Sequence, residues 1–131
     1  MSSGRGLTLR PGSYSIVRLG PRAKVPAWAA GGGLSSVTRT RSELSIMCRG
    51  ERVPRRTRRE DGFRCLEVDG PLPFDATGVL SSLAAPLARA RIPILAISTF
   101  DTDLLFVREP HLASAVRALE RAGHRVAGGV E

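Results

Sequence analysis

Between Phe63 and Ala127 the apolar residues switch repeatedly between a period of two and a helical period, and that order constrains the fold more than any other feature of the chain. Phe63 to Val68 predicts a strand. Val79, Leu80, Leu83 and Leu87 then fall on one helical face. Ile94 to Ser98 and Leu104 to Val107 are short, apolar and β-branched, joined by the acidic turn STFDTD. Leu112, Val116 and Leu119 mark a second helical stripe, and His124 to Ala127 a last strand. The order βαββαβ is that of a ferredoxin-like α+β domain, an antiparallel sheet with its helices on one face.

The punctuation fits these elements. Asp75 or Thr77 is placed to cap the first helix by accepting from an unpaired first-turn amide. Pro86 lies inside that helix and removes one backbone hydrogen bond, which predicts a kink or a break near Ser82. Pro110 opens the second helix where a missing N–H is harmless, and Gly123 ends it.

Upstream, Ser13 to Leu19 reads as a strand, Ala27 to Ala30 as about one helical turn before three glycines, and Leu34 to Arg39 with Leu44 to Cys48 as a hairpin. This is a truncated βαββ unit. It echoes the later one, because Glu43 precedes Leu44 as Asp103 precedes Leu104. The expected organisation is a disordered start over 1–6, the truncated unit over 7–48, a basic connecting loop over 49–62 and the complete unit over 63–128.

A net charge of +8 raises nucleic acid as a partner, but its distribution argues against it. Seven arginines and three acids between Arg49 and Arg64 give a local +4 in one loop-like, mobile stretch. That stretch lacks interleaved aromatics, so it predicts only weak, salt-sensitive contact with nucleic acid. No run approaches the roughly 20 apolar residues that span a bilayer. The start has no export-signal pattern and Cys48 and Cys65 read as buried thiols, so a cytoplasmic setting is expected.

No catalytic set is visible. Ser98 and Thr99 lack a nucleophile frame, His111 and His124 are separated by a helix, and no His or Cys pair has metal-ligand spacing, so neither metal nor cofactor is expected. The polar residues instead gather at two places. Asp75, Thr77 and Gly78 open the first helix, where free amides favour a carboxylate. Ser98, Thr99, Asp101 and Asp103 crowd the next turn, where a carboxylate suits an ammonium or guanidinium. One small zwitterion would satisfy both. The alternative is that the acids merely build the turn and the unit serves as a dimerisation module, since open sheet edges pair and a second copy would complete the truncated unit.

The stretch FDATGVLSSLAAPLARARIPILAIST resembles the ACT domain, a small regulatory module that binds amino acids. Taken together, YSIVRL, PAWA, SVTRTRSELSI, DGFRCLEVDGPL and STFDTDLLFVRE resemble the tandem ACT proteins related to the CASTOR arginine sensors. The resemblance implies a non-catalytic regulatory or sensor protein, with arginine or another free amino acid held between ACT units, near the helix-opening turn and the end of the neighbouring strand. It implies that Thr99, Phe100 and Asp103 hold the ligand at the strand end and that Gly78 and Val79 meet its carboxylate. By residue type alone, Asp101 or Glu43 is placed to support Asp103.

Overall fold

The computed structural model describes residues 4–128, which form two compact units. One comprises the amino-terminal residues up to Pro11 together with the chain from Arg64 onward, and the other is Gly12–Phe63. Of the start expected to be disordered, residues 1–3 lie outside the described residues.

In the first unit the sheet order is β6-β7-β5-β1-β8, built from β1 (Gly6–Leu9), β5 (Arg59–Val68), β6 (Leu95–Ser98), β7 (Asp103–Arg108) and β8 (Arg125–Ala127). Helices α1 (Val79–Arg89) and α2 (Leu112–Arg121) follow β5 and β7, which gives the expected βαββαβ order in an α+β fold. Strand β1 is an addition to that plan. It runs antiparallel to β5, with Leu7 opposite Val68, and parallel to β8, with Leu7 opposite Val126. The sheet is therefore mixed, not purely antiparallel. Leu7–Leu9, expected in the upstream unit, belongs here because these residues find their hydrogen-bond partners on β5 and β8.

Both helices cover one face, where Leu7, Leu66, Val68, Leu105 and Val107 of the sheet meet Val79, Leu83, Leu87, Leu112 and Leu119. Leu80 is the exception to the expected stripe and stands exposed. Helix α1 passes through Pro86 without a break. Pro86 has no N–H for the Ser82 carbonyl four residues earlier, and His124 supplies the missing partner, its Nε2 lying 3.0 Å from that oxygen. The other ring nitrogen, Nδ1, accepts from the Arg5 N–H at 2.9 Å, so Nε2 is the donor. The buried His124 ring thus joins the chain just before β1 to the first turn of α1.

The second unit contains β2 (Tyr14–Leu19), β3 (Ser36–Arg39), β4 (Leu44–Arg49) and the first residues of β5, in the antiparallel order β3-β4-β2-β5. A 3-10 turn at Ala27–Ala29 stands where the short helix was expected. The core is Val17, Ala29, Leu44, Ile46, Cys48 and Val53. The stretch expected to be a solvated, mobile connection is largely structured. Val53 is buried, Arg52 donates to the Trp28 and Ala30 carbonyls, Arg59 donates to the Val53 and Pro54 carbonyls, and strand β5 starts at Arg59. Each guanidinium is planar and carries several donors, so one side chain can satisfy two carbonyls at once. Arg64 is buried on β5 in the first unit, 3.3 Å from Glu109.

Cys65 has no exposed surface, and burial pushes its thiol up from 9.0 to about 12, against the pull of Arg10 and with a smaller push from Glu67. The folded thiol keeps its proton above pH 9.0, where the unfolded thiol releases it, so this contribution is intact below that pH and is lost as pH rises toward about 12. Melting temperatures across this alkaline range are expected to fall more steeply for the wild type than for Cys65→Ala, and parallel curves would refute the assignment.

Candidate functional site

The first unit holds an open cavity of about 360 Å³ between the amino end of α1 and the β6–β7 turn. That size lies at the lower end of small-molecule pockets. Its walls are tied together by main-chain geometry. The Leu72 N–H donates to the Asp101 carbonyl at 2.7 Å, and the Thr102 hydroxyl, itself buried, donates to the Val68 carbonyl at 2.5 Å. At Gly70 a Cβ would lie 3.0 Å from the Asp101 carbonyl oxygen, so a side chain there would press the segment after β5 a few tenths of an ångström away from the turn.

The turn itself is closed twice, by the Thr99 N–H donating to the Thr102 carbonyl at 2.8 Å and the Thr102 N–H donating to the Thr99 hydroxyl at 3.1 Å. Beyond it, the Asp103 carboxylate accepts from the Ser98 hydroxyl at 2.6 Å. Across the cavity the chain enters α1 through Gly78, whose φ of +78° lies in the left-handed region. No side chain caps this helix. The expected capping by Asp75 or Thr77 is not made, because the chain turns into the helix at Gly78 and leaves both residues exposed in the preceding segment.

Of the residues singled out from sequence, Gly78, Val79, Ser98, Thr99, Phe100, Asp101 and Asp103 line this cavity, whereas Asp75 and Thr77 do not. Glu43 belongs to the other unit, where its carbonyl closes the hairpin by accepting from the Thr40 N–H. Sequence reading passed over Leu72, Phe74, Leu80 and Ser81, which also line the cavity. Phe74 had one available signal, an aromatic residue standing alone between Pro73 and Asp75 in a segment with no apolar period. The charged groups on the lining are two carboxylates, Asp101 and Asp103, and no Lys, Arg or His accompanies them among the described residues. The cavity therefore combines a positively polarised helix end on one wall with negative charge on the other.

Residues 58–121 match the family model described as the ACT domain. This is an ACT-domain protein. A second model, of an amino-terminal domain, matches residues 12–56. Over 60 residues the ACT-domain chain is 38% identical to the bovine and human "cytosolic arginine sensor for mTORC1 subunit 1", and that match takes in 45% of this chain but only 18% of those relatives' length. The X-ray structure of an Agrobacterium tumefaciens protein is similar throughout, with 40% identity, a TM-score of 0.93 and coverage of 99% of this chain and 97% of that one. A Clostridium acetobutylicum aspartate kinase shares the fold alone, with a TM-score of 0.66 at 9% identity over 93% of this chain and 35% of that one. No helix among the described residues is long and apolar enough to cross a membrane.

Proposed function

We propose that this ACT-domain protein is a non-catalytic, cytoplasmic regulatory or sensor module that binds a free amino acid in the cavity between α1 and the β6–β7 turn. The observation that carries the reading is the opposed polarity of the two walls. Amides at the uncapped start of α1 suit the ligand's carboxylate, and Asp103, with Asp101 beside it, suits an amine or cationic side chain. Similarity to proteins described as arginine sensors makes arginine the first ligand to test.

A thermal-shift screen against the twenty amino acids tests this directly, since a ligand at a hundred times its dissociation constant adds ~2.7 kcal/mol to stability. Asp103→Ala is expected to abolish the shift of whichever amino acid gives one. The same change costs the unliganded protein only about 1 kcal/mol, the usual worth of one exposed hydrogen bond such as that from Ser98. A full ligand response in the variant would overturn the assignment of Asp103.

One feature supports a second reading, a homodimerisation module. Strand β6 pairs only with β7 among the described residues and leaves its outer edge open. Light scattering on the eluted protein distinguishes monomer from dimer, with and without the amino acid.

A further inference from the structure

Among the described residues the most exposed large apolar side chains are Phe74 and Phe100, 80% and 81% accessible; one lies in the segment leading into α1, the other in the β6–β7 turn, and both line the cavity. Their ring centroids are 5.4 Å apart at an interplanar angle of 35°. The chain has only four Phe, one Trp and one Tyr, so two aromatics left in solvent at one mouth call for a physical reason. An aromatic face is electronegative and attracts cations, and among the described residues the charged groups on the same lining are the Asp101 and Asp103 carboxylates. Rings and acids together are complementary to one kind of group, a positively charged side chain with an apolar stem. We infer that Phe74 and Phe100 form an aromatic mouth that makes the site selective for amino acids with a cationic side chain, with Phe74 a specificity-determining residue. This rests on the amino-acid reading above and extends it.

The test uses the full chain and titration calorimetry with arginine and with citrulline, which keeps the shape of the side chain and removes its charge. The wild type is expected to prefer arginine. Phe74→Leu retains apolar bulk and removes the aromatic face, so it should weaken arginine about three- to thirty-fold and citrulline hardly at all. Phe74→Trp should restore arginine binding. The unliganded melting temperature should not move, because the ring is largely in water. Unchanged arginine affinity in Phe74→Leu, or an equal loss for both ligands, would overturn the inference, and so would dissociation of a dimer with no change in ligand affinity. A wild type that binds none of the twenty amino acids would remove the parent reading as well. Sensitivity to Asp103→Ala without sensitivity to Phe74→Leu would leave the parent reading standing and this one refuted.

Discussion

Replacing Leu7 by Ala is expected to lower the free energy of unfolding by about 2–5 kcal/mol, the range for emptying a fully enclosed leucine site. Leu7 has no exposed surface and sits in the core under both helices, although it stands only seven residues from the start of the chain. Its strand also bonds to β5 on one side and β8 on the other. Removing residues 1–11 should therefore do more than fray an end. It uncovers the edges of two strands at once, and the carboxyl unit should lose its cooperative transition. Val25→Ala, at a half-exposed position, serves as the control and should change little. Urea titration followed by circular dichroism checks all three variants. A Leu7→Ala cost below that of an ordinary surface change would show that β1 contributes nothing.

The second large effect concerns His124. Its replacement by Ala orphans both the Ser82 carbonyl and the Arg5 N–H, each of which it pairs at about hydrogen-bond distance. A fully buried polar group left without a partner costs about 1–3 kcal/mol, and since Arg5 and Ser82 are half-buried the two together are expected to cost about 2–4 kcal/mol. Pro86 gives this a sharper test. In a Pro86→Ala background the new amide can reach the Ser82 carbonyl in the ordinary helical manner, so His124→Ala should cost about 1 kcal/mol less there than in the wild type. Equal costs in the two backgrounds would mean that the ring does not compensate for the proline.

The helical stripes, the β6–β7 turn and the βαββαβ order were legible because each element is encoded within about a dozen residues. Strand β1 was not. GLTL is short, carries no alternation long enough to count, and its partners lie at Leu66–Val68 and Arg125–Ala127, beyond the reach of any local pattern. The start of β5 was hidden for another reason. Arg59, Glu60 and Asp61 look like solvent-facing loop, yet Arg59 and Glu60 pair across to Val17 and Ile16, and β-pairing uses the backbone whatever the side chains are. At the candidate site, residue type revealed the polar members because acids and hydroxyls in a turn suggest chemistry. Phe74 and Leu80 were harder, since an apolar residue is ordinarily assigned to the core, and it is the fold that leaves these two exposed.

Strand β1 also bears on how the chain is assembled during synthesis. Leu9 and Leu66 are cross-strand neighbours, and the Arg10 N–H donates to the Cys65 carbonyl, so β1 and β5 are the two arms of a hairpin whose connection is the whole Gly12–Phe63 unit. Such an insertion is tolerable at equilibrium, because each doubling of a connection adds only about 0.6 kcal/mol of closure entropy. Its mark is on the order of events. Strand β1 has no neighbour in its own unit until β5 has been made, and its second neighbour, β8, comes only after α2, so the carboxyl unit closes its sheet after all its other elements have emerged.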